Sequence, residues 1–66
     1  MNTPPFLIEL ENQLATSATA LRTAWIICKA NNMHKTAVEL ADTVLDIEES
    51  LKTVKREREQ LERGIQ

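Results

Sequence analysis

The chain has 66 residues, of which 42% are apolar and 27% charged, and it carries a formal net charge of −2 with one cysteine and one histidine. A chain of this length forms one domain and buries too little apolar surface to be comfortably stable by itself. One cysteine and one histidine exclude an internal disulfide and a metal site built by one chain, so we expect oligomerisation to supply the missing stability.

The composition favours helices, because glycine occurs once, tyrosine is absent and both prolines lie near the N-terminus. No apolar run approaches the roughly 20 residues of a membrane span, and no basic flank precedes an apolar signal segment. We therefore expect a cytoplasmic protein with no membrane partner. The unpaired Cys28 agrees with a reducing compartment.

The first helix is predicted from about residue 4 to about residue 30. Thr3 can cap its start, and proline is tolerated in the first turn of a helix. Apolar or small side chains follow an a/d heptad series, which predicts one continuous seam. The positions of that series are Leu7, Leu10, Leu14, Ser17, Leu21, Ala24 and Cys28.

Asn31 and Asn32 interrupt the helical pattern and predict a turn over about residues 31–35, since asparagine tolerates the left-handed conformation. Thr36 and Glu39 have the spacing of a capping box. The second helix begins at Met33 or at Ala37, and it is predicted over about residues 36–63. Its seam positions are Met33, Ala37, Leu40, Val44, Ile47, Leu51, Val54, Arg58, Leu61 and Ile65. The predicted fold is an all-α, antiparallel two-helix hairpin over residues 1–66, which dimerises into a four-helix bundle with coiled-coil-like packing.

The apolar face of the second helix changes in width along its length. Val38, Ala41 and Leu45 broaden it near the turn, and a broad face packs against more than one neighbour. Beyond the middle of the helix only a narrow seam remains, which is typical of a two-stranded coiled coil with either the first helix or another copy of the second. Arg58 is the charged residue within this seam and is expected to weaken or specify that end. Four i,i+4 pairs are expected to flank the seam: Glu48–Lys52, Lys55–Glu59, Arg58–Glu62 and Glu59–Arg63.

The sequence lacks the residues that catalysis usually needs. There is no glycine-rich loop and no cluster of titratable groups, and two helices alone do not enclose a deep pocket. We therefore expect neither an enzyme nor a cofactor. Cys28 is interpreted as a core side chain, His34 as a solvated turn residue, and the acids between residues 39 and 49 as a solvated face.

A basic segment near the C-terminus supports an alternative function, a nucleic-acid-binding helical dimer. Its predicted contacts are Lys52, Lys55, Arg56 and Arg63. Glutamates at positions 57, 59 and 62 interleave with these cations and reduce their net charge, so nucleic acid is not the expected partner. A helix-turn-helix is disfavoured because acidic residues would face the phosphates.

The segment from Trp25 to Cys28 has four successive apolar residues, which point to every side of a helix. With Cys28 facing the second helix, Trp25 is expected on the flank of the first helix and Ile26 near its far side. These side chains need a second cover, which predicts an interface with a partner subunit or another protein. The full set of predicted interface residues is Leu7, Leu14, Leu21, Trp25, Ile26, Ile27, Leu40, Val44, Ile47 and Leu51.

This organisation resembles the antiparallel helical-hairpin dimers found among small plasmid and bacteriophage accessory proteins. The resemblance is one of architecture, and such folds include RNA binders, inhibitors of host enzymes and assembly adaptors. We therefore predict a small, non-enzymatic regulatory or adaptor protein, of the phage or plasmid accessory type. It is expected to act as a helical homodimer by binding another protein.

Overall fold

The computed structural model describes residues 3–64 and contains two helices, α1 over Pro5–Ala30 and α2 over His34–Glu62. The hydroxyl of Thr3, just before α1, donates a hydrogen bond of 2.9 Å to Glu62, the last residue of α2. The start of α1 therefore lies beside the end of α2, and the two helices pack against each other in antiparallel directions. The predicted all-helical hairpin is confirmed, with helix bounds within two residues of those expected.

The turn is shorter than predicted and spans Asn31 to Met33. Asn32 adopts the left-handed conformation, with φ of 61°, as expected of an asparagine that ends a helix. The backbone N–H of Met33 then donates to the carbonyl of Cys28 at 2.9 Å, and the side-chain amide of Asn31 donates to the carbonyl of Ile27 at 2.8 Å. These bonds satisfy carbonyl groups at the end of α1 that have no partner within the helix.

The predicted capping residues do not cap either helix. α2 begins at His34, and the N–H of Ala37 already donates to the carbonyl of Met33 at 2.9 Å, so the capping box of Thr36 and Glu39 is not used. At the start of α1, Pro4 occupies the cap position without a side-chain bond, and Thr3 bonds to Glu62 instead. Proline lies in the first turn of α1, as predicted.

The seam of α1 differs from the predicted heptad series at two positions. Leu10 and Ser17 are exposed, while Glu11 is half-buried and Ala18 is buried. Both series contain Leu7, Leu14, Leu21 and Cys28, because positions three and four residues apart share one helix face. The observed series keeps the Ser17 hydroxyl out of the seam and places the Glu11 carboxylate where it meets Arg58.

The seam of α2 follows the prediction through most of its length. Its buried and half-buried positions include Ala37, Leu40, Val44, Ile47, Leu51, Val54 and Arg58. Met33 and Leu61, predicted to extend this seam at its two ends, are exposed. Ile65 lies outside the described residues.

The core of the hairpin is thin. Six of the described residues are buried, namely Leu7, Ala18, Cys28, Ala37, Val44 and Val54, and none of the described side chains is completely enclosed. Alanine and valine at these positions allow the helices to approach closely but remove little apolar area from water. Two helices form a single layer, so each side of the layer remains open to solvent.

Candidate protein-binding surface

The predicted interface residues divide into two groups. Seven of them pack between the helices of one chain, where they are buried or half-buried: Leu7, Leu14, Leu21, Leu40, Val44, Ile47 and Leu51. The other three, Trp25, Ile26 and Ile27, remain exposed. Most of the predicted interface is therefore the internal seam of the hairpin.

A groove near the turn, here called the turn-end groove, brings two of the exposed residues together. It has a volume of about 360 Å³ and is lined by Arg22, Trp25, Ile26, Ala41, Val44 and Leu45. Ile26 thus lies beside Trp25 at the border with α2. The prediction that Ile26 lies near the far side of α1 is therefore wrong. Ile27, which is 57% exposed, lies outside this groove.

Side chains of both helices build the apolar wall of the turn-end groove. Trp25 is 37% exposed and Leu45 is 63% exposed, so a large part of each is available for contact. Val38 is exposed as well and shares the stripe of Ala41 and Leu45, since residues three and seven positions apart lie on one helix face. This is the broad face near the turn that the sequence predicts.

Charged side chains border the turn-end groove and are already partnered within the hairpin. The guanidinium of Arg22 forms an ion pair with the carboxylate of Glu48 across the two helices. The ammonium of Lys29 lies 5.8 Å from the centre of the Trp25 ring, a cation–π distance. These contacts restrict the rotamers of Arg22 and Trp25, so the groove is partly ordered before it meets a partner.

A second groove, here called the open-end groove, lies where the two chain ends meet. It has a volume of about 460 Å³ and is lined by Phe6, Leu7, Leu10, Glu57, Gln60 and Leu61. The sequence does not predict this groove, because the heptad series places Leu10 and Leu61 in the internal seam. The spacing of Phe6 and Leu10 by four residues was the signal that could have found it.

Arg58 connects the helices at the open end of the hairpin. Its Nε donates to a Glu11 carboxylate oxygen at 2.6 Å, and its Nη1 donates to the Glu62 carboxylate at 3.0 Å. Hydrogen bonds from Thr3, and next from Arg58, lower the pKa of Glu62, while hydrogen bonds to Glu11 and Glu62 raise the pKa of Arg58. The charged residue of the distal seam is thus paired on both sides.

The basic residues predicted to contact nucleic acid are exposed and follow one stripe of α2. None of Lys52, Lys55, Arg56 and Arg63 forms an ion pair with another residue of the described range. Of the four expected i,i+4 pairs, the described residues form only Arg58–Glu62, at 3.0 Å. Glu48 pairs with Arg22 instead of Lys52, because the opposite helix presents a nearer cation.

Cys28 is buried with a free thiol, and His34 is exposed at the first position of α2. Within residues 3–64, no three side chains of histidine, cysteine, aspartate or glutamate gather in a way that would hold a metal ion. Neither α1 nor α2 combines the length and apolar character needed to cross a membrane.

Comparison of the chain with protein-family models, with curated proteins and with solved structures finds no match.

Proposed function

We propose that this chain is a small, non-enzymatic regulatory or adaptor protein that acts as a helical homodimer through protein–protein interaction. The observation that carries the proposal is the distribution of apolar side chains. Ten large apolar residues of the described range are exposed, whereas its six buried residues are mostly small. Several of the exposed residues gather in two grooves at opposite ends of the hairpin, as expected of binding surfaces.

The two grooves differ in chemistry, which favours different uses. The turn-end groove is almost entirely apolar and contains the single tryptophan, so it suits a permanent contact such as self-association. The open-end groove includes Glu57 and Gln60 beside Phe6 and Leu10, so it suits a partner that supplies polar groups as well as an apolar anchor. We assign the external protein partner to the open-end groove and place the complex in the cytoplasm.

A matched pair of variants tests the docking of an external protein. Leu10 lines the open-end groove and is 41% exposed, while Ile27 is 57% exposed and lines neither groove. A protein captured from the native cell by the immobilised chain should persist in high salt, be lost with Leu10→Glu and be retained with Ile27→Glu. Equal capture by both variants would contradict the assignment.

The alternative function is nucleic-acid binding by the basic stripe. The observation in its favour is that Lys52, Lys55, Arg56 and Arg63 are exposed without ion-pair partners among the described residues. Phosphate contacts release counterions, so binding of this kind falls steeply as the salt concentration rises. Captured material that is nucleic acid and elutes with moderate salt would favour the alternative.

A further inference from the structure

Resting on the proposed self-association, we propose that a second copy of this chain covers the turn-end groove and that both turns lie at the same end of the resulting bundle. The two copies are then related by a two-fold axis parallel to the helices. With this axis, α1 of each copy packs against α2 of the other in antiparallel direction. The turn-end groove of one copy meets that of its partner.

The lining of the turn-end groove selects it over the open-end groove as the contact between copies. Its one charged lining residue, Arg22, is already paired with Glu48, so the groove brings no unpartnered charge into the contact. Trp25, Ile26 and Leu45 supply the aromatic and aliphatic area that is typical of the centre of interfaces. The open-end groove would bury Glu57 and Gln60 against their own copies.

The dimensions of the hairpin show how much of its face the second copy must cover. The hairpin measures 50 Å by 16 Å along its two longer axes. One face therefore offers an area on the order of 800 Å², which is about what each partner buries in a stable interface of standard size. A stable dimer consequently needs overlap along nearly the whole face, and a contact confined to the turn half is too small.

The position of the apolar residues then determines the direction of the second copy. Along α2, the stripe of Ala41 and Leu45 continues in the open half with charged side chains, namely Lys52, Lys55 and Glu59. If the turns lay at opposite ends with full overlap, the apolar groove would face these charges. Sliding the copies until the grooves meet would leave only about half of the face covered. Turns at the same end give full overlap and apolar contact together.

The charge distribution is attractive in this arrangement. The charges that already pair within one hairpin are left out of this comparison. Residues 18–30 of α1 then carry one basic side chain, and they face residues 34–49 of the partner's α2, with four acidic side chains and one lysine. Residues 5–17 of α1 carry one acidic side chain, and they face residues 50–63, with four basic and two acidic side chains. The hairpin is thus electrostatically complementary to itself, which favours a second copy over an unrelated occupant.

Distances between spin labels test the arrangement. In a Cys28→Ala background, Lys35→Cys places a label near the turn and Arg63→Cys places one near the open end. Both positions are exposed, and they share one heptad position away from the stripe of Leu45. Light scattering first establishes the mass of each labelled sample. With both turns at one end, we expect both label pairs at about 20–25 Å, roughly two helix diameters.

Other label distances would overturn the arrangement. Long distances at both positions, approaching the 50 Å length of the hairpin, would place the turns at opposite ends. A short distance at position 35 with a long one at position 63 would show overlap of the turn halves only. Either result refutes the proposed arrangement and leaves the homodimer of the proposed function intact, whereas a folded monomer at tens of micromolar refutes both.

A pair of unlabelled variants tests the face independently. Leu45→Glu introduces a charge into the turn-end groove, and Ile27→Glu introduces the same charge at an exposed position outside it. We expect Ile27→Glu to remain dimeric and Leu45→Glu to be monomeric with lower helicity, because oligomerisation supplies part of the stability that the thin core lacks. A dimer that survives Leu45→Glu would show that the second copy binds elsewhere.

Discussion

Ile26 and Ile27 offer a matched comparison for the importance of the turn-end groove. They are neighbours on α1, and their exposed fractions are nearly equal, at 59% and 57%. Ile26 lines the turn-end groove and Ile27 does not. Alanine at either position keeps the helix, so the two variants differ only in which side of α1 loses apolar area.

The expected loss at Ile26 follows from its exposed fraction. Complete burial of an isoleucine side chain contributes about 1.5–3 kcal/mol, so covering the exposed 59% contributes roughly 1–2 kcal/mol per copy. A symmetric dimer contains this contact twice, which gives roughly 2–4 kcal/mol. Because each 1.4 kcal/mol is tenfold, Ile26→Ala should weaken dimerisation by roughly 30-fold to several-hundred-fold.

Sedimentation equilibrium over a dilution series measures the dimerisation constant of both variants and of the parent. We expect Ile27→Ala to dimerise like the parent, because its side chain stays in water in the proposed dimer. A loss of similar size in both variants, or a loss in neither, would refute the reasoning. Circular dichroism at the same concentrations shows whether each variant keeps its helices.

Three further predictions concern charged residues of the open half. Arg58→Leu should lower the melting temperature, since half-buried Glu11 would lose its partner; adding Glu11→Leu should recover part of the loss. The pKa of Glu62 is lowered in the folded chain, so its carboxylate stabilises the fold fully at pH values above 4.5, the ordinary pKa, and this stabilisation is lost as the pH falls further. The melting temperature of Glu62→Gln should therefore depend less on pH in the acid range. Nucleic-acid affinity, followed by fluorescence anisotropy, should be weaker than about 1 μM at physiological salt; tight binding that Lys55→Ala and Arg56→Ala abolish would contradict this.

The hairpin itself was predictable from sequence because its signals are local. Apolar periodicity defines both helices, and Asn32 marks the turn with the conformation that asparagine tolerates. The start of α2 was less predictable, since Thr36 and Glu39 have capping spacing but packing near the turn lets the helix begin at His34. Helix ends depend on such tertiary contacts more than helix interiors do.

The register of α1 could not be read from α1 alone. Leu10 and Glu11 compete for one place in the seam, and hydrophobicity favours Leu10. The structure places Glu11 there, where it meets Arg58 of α2 across the hairpin. In the sequence, Arg58 looks like an isolated charge that weakens the distal seam. Its partner Glu11 lies 47 positions away in sequence and is adjacent only in the folded hairpin.

The two grooves of the candidate surface also show how far sequence alone can predict a site. A surplus of apolar residues from Trp25 to Cys28 correctly indicated exposed hydrophobic area near the turn. The open-end groove, in contrast, joins Phe6 and Leu10 to Leu61, and this combination exists only once the two chain ends are adjacent. Sequence periodicity describes the faces of a single helix, whereas each groove is formed by side chains of two helices.

The two ion pairs between the helices have opposite polarity, and this difference bears on how the chain selects its packing partner. Arg22 of α1 meets Glu48 of α2 near the middle of the hairpin, while Glu11 of α1 meets Arg58 of α2 near its open end. If α2 ran in the opposite direction about its own middle, Arg22 would still lie near Glu48, but Glu11 would lie near Val38 and Glu39 and would lose Arg58. An acidic neighbour would then replace an ion-pair partner. Exposed ion pairs contribute little stability, yet the penalty for juxtaposed like charges still discriminates between arrangements. The same alternation of charge extends to the outer faces of both helices. The apolar groove therefore supplies the affinity for a second copy. The charges disfavour arrangements in which helix segments of like charge face each other.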